Sequence, residues 1–294
     1  MKKKIANSIS ILLILSILFS VSTFAQGEKP KKKPVDDKPV RFAWNGELLI
    51  DNQTPLMQNP KTLQLIIHHR FGTFGNGMSD LYGIYAPSNI RLGLNYGISD
   101  WLTVGFGTEK NNKMQELNWK VKLLKQTKSG RIPVDITYFG NAVIDGRDET
   151  FFGATYSFTN RFSYFNELIV SRKVTDKISI LLAGSYSHFN MVDTATTNGI
   201  GNDKAGLTFG GRYNFLNDLS FIFEYDYPFD IKGTEEYPAK PNLGFGLEVS
   251  TSTHIFQIFA AQYDNIINQK NFVFNQNDMT DEGWLLGFNI IVRF

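Results

Sequence analysis

Apolar and polar residues alternate along most of the chain from Leu63 onward, in segments of about ten residues. A period of two is typical of β-strands with one apolar face. The clearest segment is the last. One of its faces carries Trp284, Leu286, Phe288, Ile290, Val292 and Phe294, and the other carries Leu285, Gly287, Asn289, Ile291 and Arg293.

Similar apolar rows occur throughout the chain. They are Leu63/Leu65/Ile67, Ile90/Leu92/Leu94/Tyr96, Leu102/Val104/Phe106, Leu117/Trp119/Val121/Leu123, Ile132/Val134/Ile136/Tyr138, Ile178/Ile180/Leu182, Leu207/Phe209/Tyr213, Leu219/Phe221/Phe223/Tyr225/Tyr227 and Leu243/Phe245/Leu247/Val249. Residues 162–172 and 255–264 carry apolar residues on both faces, so strands are predicted there without an assigned inward face. The pattern predicts about 12 strands, an even number as in single-chain bacterial barrels.

The connections between these segments alternate in length. Short links fall at 99–100, near 128–130, at 175–177, at 216–218 and near 252–253, whereas long links span 72–89, 143–160, 189–204, 228–241 and 265–282, with a middling link around Lys110. Outer-membrane barrels have short periplasmic turns and long external loops. A first strand that starts in the periplasm places every long link outside the cell.

The predicted fold is therefore all-β, an antiparallel up-and-down transmembrane β-barrel. Composition agrees, because aromatic residues make up 14% of the chain and Gly, like Phe, numbers 25. After residue 25 the chain has no apolar stretch long enough for a membrane-spanning helix. A soluble β-sandwich remains the alternative at this stage, because single strands of a barrel give weak signals.

Residues 1–25 are predicted to be a cleaved signal peptide, with Lys2, Lys3 and Lys4 before an apolar run and Thr23-Phe24-Ala25 as the cleavage site. Residues 26–41 contain Pro30, Pro34 and Pro39 among lysines and are predicted to be a basic, Pro-rich periplasmic linker. Residues 42–294 are predicted to form the outer-membrane barrel.

Charge and composition exclude several functions. Without the three signal lysines, 27 basic residues face 28 acidic ones, so bulk charge gives no support for a nucleic-acid partner. The chain has no Cys and only 4 His, and no cofactor or metal site is predicted. His68 and His69 are adjacent on a strand and point to opposite faces, so they cannot jointly bind one ion.

Candidate functional residues lie on the predicted inward face. The residues proposed to line the lumen are Arg70, Arg91, Lys120, Lys122, Asp135, Arg212, Glu224 and Glu248. These charges could line a conducting pore or pair across the lumen and close it, since a barrel of about 12 strands is narrower than a porin of 16. Aromatic rings near predicted strand ends, Trp44 and Trp284 among them, are expected at the membrane interfaces.

No catalytic residue is predicted. The compact candidates for a membrane-embedded hydrolase are Ser185, His188 and Asn190. A serine nucleophile must reach its histidine base, yet residues three apart on one strand point to opposite faces. Activity that disappears in Ser185→Ala would be required to support an enzyme.

Three segments near the start of the predicted barrel, His68-His69-Arg70-Phe71-Gly72, residues 89–98 and residues 100–107, resemble a bacterial family of β-barrels known as domain of unknown function 5777. The resemblance runs from about residue 42 to 294 and implies a barrel in a Bacteroidota type of envelope. It transfers no catalytic or binding residue. The last strand, ending in Phe294, resembles the signal by which the outer-membrane assembly machinery recognises its clients, so that machinery and outer-membrane lipid are the expected partners.

Two functional hypotheses follow. The first is a narrow or gated outer-membrane channel for small solutes, in which neutralising Arg91 or Lys120 would change the current. The second is a structural or partner-binding barrel without conductance, acting through its long loops and basic linker, with an envelope partner that the sequence does not name.

Overall fold

The structure is a computed structural model that describes residues 36–41, 43–192, 201–231 and 238–294. The predicted signal peptide, most of the predicted linker and Phe42 lie outside the described residues. The alternating segments form strands because each places apolar side chains on one face and polar or small ones on the other.

Twelve antiparallel strands form a closed barrel in which each strand pairs with its sequence neighbours and β1 pairs with β12. The strands are β1 Leu63–Thr73, β2 Asn89–Ser99, β3 Leu102–Glu109, β4 Gln115–Leu124, β5 Asp135–Ile144, β6 Phe162–Lys173, β7 Ile178–Phe189, β8 Asp203–Leu216, β9 Leu219–Phe229, β10 Asn242–Ser250, β11 His254–Ala261 and β12 Leu285–Arg293. The predicted up-and-down barrel is confirmed.

Several strand boundaries differ from the predictions, most clearly in β5 and β11. β5 begins at Asp135, so Ile132 and Val134 precede the strand although they continue its apolar row. β11 ends at Ala261, before the predicted end at Asp264. In both places the alternation of apolar residues runs past the last cross-strand partner.

Loop lengths differ between the two ends of the barrel. The connections β2–β3, β4–β5, β6–β7, β8–β9 and β10–β11 meet at one end, here called the short-turn end, and the others meet at the long-loop end. The long-loop connections contain the 3₁₀-helices Phe74–Asp80, Asn111–Lys113, Glu149–Phe152 and Phe158–Arg161 and the helix α1, Asn268–Phe274. The last of these connections, 262–284, carries α1.

The outer surface of the barrel is apolar. Leu117 is 57% exposed and Ile258 is 62% exposed, and many outward Leu, Phe and Tyr residues on other strands are similarly accessible. A continuous exposed band of this kind is typical of a barrel that faces lipid and is unusual for a soluble monomer. Among the described residues, no helix is both long and apolar enough to cross a membrane.

Candidate functional site: the barrel lumen and its inner segment

Residues 43–58, here called the inner segment, lie inside the barrel just before β1. Leu48, Leu49 and Ile50 are almost completely buried although they belong to no strand of the wall. The segment turns back on itself, because the Leu49 N–H donates to the Asn52 carbonyl at 2.9 Å and the Thr54 N–H donates to the Glu47 carbonyl at 2.8 Å. Its own hydrogen bonds therefore satisfy part of a backbone that is removed from water.

Apolar contacts fix the inner segment against the wall. Trp44, Leu49 and Ile50 share a buried cluster with inward residues of several strands: Phe139, Phe165, Ile169, Leu181, Ala183, Ile222, Phe259, Ala261 and Phe272 of α1. Leu48 packs separately with Ile66, Ile255 and Ile291. Trp44 was expected at a membrane interface, and that prediction is wrong, because its ring lies in the lumen and its Nε1 donates to Ser171 at 2.9 Å.

These clusters explain why no inward face could be assigned to β6 and β11 from the sequence. Phe165 and Ile169 of β6, and Ile255 and Phe259 of β11, point inward and contact the inner segment or α1 or their immediate neighbours. An inward apolar residue would be unfavourable in a water-filled pore but favourable against a second apolar surface. Apolar residues on both faces of a strand were thus the sequence signal of a filled lumen.

Inward glycines allow the inner segment to approach the wall. A Cβ atom on Gly210 of β8 would lie only 2.4 Å from Leu49 Cδ2. A Cβ atom on Gly244 of β10 would lie 3.1 Å from Ile50 Cδ1. The absence of side chains at these two positions leaves room for Leu49 and Ile50.

Glu224 of β9 binds the tip of the inner segment. Its carboxylate accepts hydrogen bonds from the backbone N–H groups of Asp51 at 2.9 Å, Ile50 at 3.3 Å and Asn52 at 3.4 Å. The neighbouring Asp226 accepts from the Asn52 side chain at 2.8 Å. A buried carboxylate that receives several N–H donors replaces the water that those donors would otherwise need.

Arg70 of β1 binds the same tip through a positively charged side chain. Its guanidinium forms an ion pair of 2.6 Å with Asp51, and both side chains are almost fully buried. It also donates to Asn289 of β12 at 3.0 Å, and Asn289 donates to the Ile50 carbonyl at 2.8 Å. The Arg70 side chain therefore connects the inner segment to both strands of the barrel seam.

Lysines of β4 bind the two arms of the inner segment. Lys120 Nζ donates to the carbonyls of Glu47 at 3.2 Å and Leu56 at 3.3 Å, and lies 3.6 Å from the Glu47 carboxylate. Lys122 pairs with Asp135 at 3.2 Å and donates to the Pro55 carbonyl. The two lysines thus hold backbone on either side of the turn.

The remaining predicted lumenal charges pair within the wall. Arg91 donates to Glu116 through Nε at 2.8 Å, and Arg212 donates to Glu248 at 3.2 Å. Glu248 also accepts from the Asn45 side chain of the inner segment at 3.0 Å. All eight predicted residues point inward, and their role in a solute pathway stays a prediction.

Sequence reasoning missed the partners of these charges. Glu47 and Asp51 lie in a stretch without a strand period, and nothing in their spacing indicated a position inside the barrel. Glu167 of β6 is also buried inward, and neither of its carboxylate oxygens has a hydrogen-bond partner in the described part of the chain. A further signal was that residues 43–58 precede β1 with a mixture of apolar and polar residues unlike the linker.

The long-loop end is closed by the connection 262–284. Within α1, Phe272 stacks on Phe165 of β6 at a ring-centroid distance of 5.8 Å, and Gln269 donates to Ser163 at 3.1 Å. The Asn268 side chain donates to the Asp51 carbonyl at 3.1 Å. The inner segment and α1 therefore meet inside the barrel and together fill its lumen.

Cavities remain at both ends and between them. A cavity of about 740 Å³ opens at the short-turn end beside Trp44, Gln58 and Lys122. One of about 480 Å³ opens at the long-loop end beside Met114 and Lys270. Between them a space of about 20 Å³ touches Arg91, Glu116 and Asp51 and would hold little more than a single water molecule.

The geometry of the candidate hydrolase residues agrees with the sequence argument. Ser185 points inward, whereas His188 lies on the other face of β7 and contacts Asp203 at 2.7 Å. Asn190 donates to the Thr159 carbonyl at 2.7 Å. His68 is likewise inward, 3.5 Å from Arg91, while His69 stacks on Phe288 with ring centroids 4.7 Å apart.

A family described as a membrane bound beta barrel domain (DUF5777) matches residues 44–294. The chain belongs to this family. The match starts at Trp44, so the family includes the inner segment as well as the twelve strands. No curated protein matches the chain.

Several solved barrels are similar to this member of the DUF5777 family. The COG4313 outer membrane channel from Pseudomonas putida F1 is 12% identical with a TM-score of 0.51, over 81% of this chain and 97% of that one. The NanC porin is 10% identical with a TM-score of 0.49, and the KdgM porin in complex with disordered oligogalacturonate is 9% identical with a TM-score of 0.46; each match covers 79% of this chain and 98% of the other. The first of these similarities supports the fold of a membrane-bound β-barrel.

Proposed function

We propose that this protein is a gated outer-membrane channel for small solutes, in which the inner segment is the gate. The observation that carries the proposal is the polar attachment of residues 43–58 inside a closed barrel. Glu224, Arg70 and Lys120 bind the segment through its backbone and its carboxylates, so part of its attachment consists of contacts that water and ions can replace. A segment intended only to fill the barrel could have used apolar contacts alone.

The proposed location is the outer membrane of a Gram-negative cell, reached by export through a cleaved signal peptide at residues 1–25. The short-turn end is then periplasmic and the long-loop end external. In this orientation the basic linker 26–41 lies in the periplasm and leads directly into the gate. Assembly machinery that recognises the last strand would bind β12 near Phe294, whose side chain is exposed.

The proposed solute route runs along the wall formed by β2 to β5. It connects the external cavity, the small space at Arg91 and Glu116, and the periplasmic cavity beside Lys122 and Asp135. Displacing the inner segment would join these spaces and expose Lys120. The predicted pathway residues would then act by selecting solutes according to charge.

A silent, partner-binding barrel is the second candidate function, and the filled lumen favours it. The inner segment and α1 occupy the centre of the barrel, where the space beside Arg91 and Glu116 is about 20 Å³. A barrel of this kind would act through its long loops and the linker. Neither candidate assigns a catalytic role to Ser185, His188 or Asn190.

A disulfide lock tests the gate. The chain has no native Cys, and a Cβ on Gly244 would lie 3.1 Å from Ile50 Cδ1 and 3.5 Å from its Cγ2, so Ile50→Cys with Gly244→Cys is the pair chosen to cross-link gate and wall. We expect the reduced double variant in a planar bilayer to open intermittently and the oxidised one to stay closed. Ile50→Cys alone, treated with the same oxidant, is the matched control and should keep its openings.

Deletion of residues 43–58 provides the complementary measurement. A deletion variant that still shows heat-modifiable migration should carry a steady current, since the lumen loses its main occupant. If that folded variant is silent, the channel proposal fails and the partner-binding candidate replaces it. If the oxidised and reduced double variants conduct equally, the protein is a channel but the inner segment is not its gate.

A further inference from the structure

The cavity at the long-loop end has a composition unlike the rest of the lumen. It is bounded by the β5–β6 connection, by Met191 and Val192 just after β7 and by α1, and its volume is about 480 Å³. This size is within the range of small-molecule binding sites, which are roughly 300–1,000 Å³. Among the residues that the structure describes, its charged lining residues are Asp145, Arg147, Arg161 and Lys270, so cations outnumber anions there by three to one.

The three cations differ in their partners. Arg147 forms an ion pair of 2.6 Å with Asp145. Arg161 donates to the carbonyls of Asp145 at 2.8 Å and Arg147 at 2.5 Å and to the Tyr156 hydroxyl at 2.6 Å. Within the described part of the chain, no carboxylate lies within ion-pair distance of Arg161, so its charge is positioned by neutral acceptors.

Lys270 of α1 is half-buried, and none of the described residues accepts a hydrogen bond from its ammonium group or forms an ion pair with it. Glu109, Asp264 and Asp145 stabilise its charge from beyond ion-pair distance, and Asp145, the one of the three that lines the cavity, is already paired with Arg147. Burial lowers the pKa of Lys270, because the charged form loses hydration. A bound anion would restore the missing interaction.

Aromatic side chains form the other part of the wall. Phe151, Phe152, Phe189 and Phe274 line the cavity together with Met191. Phe151 is 63% exposed, and the Arg147 guanidinium lies 5.0 Å from its ring centroid. Among its described lining residues, the cavity thus combines an excess of positive charge with flat apolar surfaces at the same opening.

We propose that this cavity binds a small carboxylate that carries an aromatic ring or a short apolar body. The carboxylate would receive hydrogen bonds from Lys270 and Arg161, and the ring would pack on Phe151 and Phe274. This binding function goes beyond the channel, because a closed barrel offers the same external cavity. A purely apolar ligand would leave Lys270 without an acceptor, and a small inorganic anion would leave the phenyl groups exposed.

Binding of 2-naphthoate to the folded, detergent-solubilised chain tests the proposal, measured by titration calorimetry with 2-naphthamide as the uncharged counterpart. We expect saturable binding of the carboxylate and at least about tenfold weaker binding of the amide, as loss of a charge-assisted hydrogen bond implies. Lys270→Met should weaken naphthoate binding about tenfold or more. The matched control is Lys110→Met, which removes an exposed ammonium at the same end of the barrel outside this cavity and should bind normally.

Three results would overturn the proposal. They are equal binding of naphthoate and naphthamide, equal weakening by the two lysine variants, and no saturable binding by a chain with heat-modifiable migration. Phe151→Ala, at an exposed position, provides a second variant if Lys270→Met fails to fold, and should also weaken binding. Because the titration needs no current, failure of the channel proposal and failure of this one are distinguishable.

Discussion

Individual charged residues in the lumen could be predicted, but their partners could not. Alternation along β1, β4 and β9 was enough to place Arg70, Lys120 and Glu224 on the inward face. The residues that form contacts with these charges lie far from them in the sequence. Glu224 and Asp51, for example, are 173 positions apart. A periodic pattern determines which way a side chain points, whereas a contact of this range depends on how the whole barrel closes.

Glu224→Gln should loosen the tip of the inner segment. The amide replaces one carboxylate oxygen with an NH₂ group, which cannot accept from the backbone N–H groups of Ile50, Asp51 and Asn52. We expect a loss of about 1.5–3 kcal/mol, visible as faster hydrogen exchange at these amides. Glu116→Gln, which changes a lumenal carboxylate paired with Arg91, is the control and should leave them protected. Unchanged exchange in Glu224→Gln would mean that the hydrogen bonds within the turn are sufficient to keep the tip in place.

Arg70→Met should destabilise the folded barrel more than its loss of packing explains. The substitution leaves the Asp51 carboxylate buried without its cation, a cost of about 3–5 kcal/mol. We expect a lower unfolding temperature in heat-modifiable migration, and recovery of most of the loss when Asp51→Leu is added. A double variant no more stable than Arg70→Met alone would show that the ion pair is not the cause.

At the scale of elements, the strands could be predicted and the inner segment could not. Strands of a barrel repeat one pattern because each has one face toward lipid and one toward the lumen. The inner segment is surrounded by the barrel wall, so apolar and polar residues do not alternate along its sequence with a fixed period. The sequence signal for this segment lies instead in β6 and β11, where Phe165 and Phe259 point inward.

A second element attaches the chain just before the inner segment. Residues 38–40 lie beside the β4–β5 connection, where the Val40 N–H donates to Gln126 at 2.8 Å and the Lys128 N–H donates to Lys38 at 3.0 Å. Asp36 and Asp37 form exposed ion pairs there, of 3.6 Å with Lys128 and 3.4 Å with Arg131. Such exposed pairs contribute little and are screened by salt.

Raising the salt concentration to about 1 M should therefore loosen residues 36–41, which then rely mainly on exposed hydrogen bonds, and leave the inner segment in place. Hydrogen exchange followed by peptide mass spectrometry would show faster exchange at Val40 and unchanged exchange at Asp51. Faster exchange at both sites to the same degree would mean that the two segments open as one unit. That result would make the linker contact part of the gate.

At the scale of the whole molecule, the alternation of loop lengths predicted the up-and-down topology, and the structure has that topology. The openness of the lumen was beyond the sequence, because a barrel of about 12 strands can be either open or filled with the same wall. Whether the lumen is open or filled depends on the volume of the residues outside the strands. The inner segment and α1 supply that volume from opposite ends.

The position of the inner segment also has a consequence for biogenesis. It immediately precedes β1, yet it contacts Glu224 of β9, Gln257 of β11 and Asn289 of β12, which are made much later. Once β1 and β12 have paired, a folded turn with buried charges would have to enter a barrel that is already closed. The simpler order is that the nascent wall wraps around its own N-terminal turn, which then acts as a template that sets the curvature of the last strands before the seam closes.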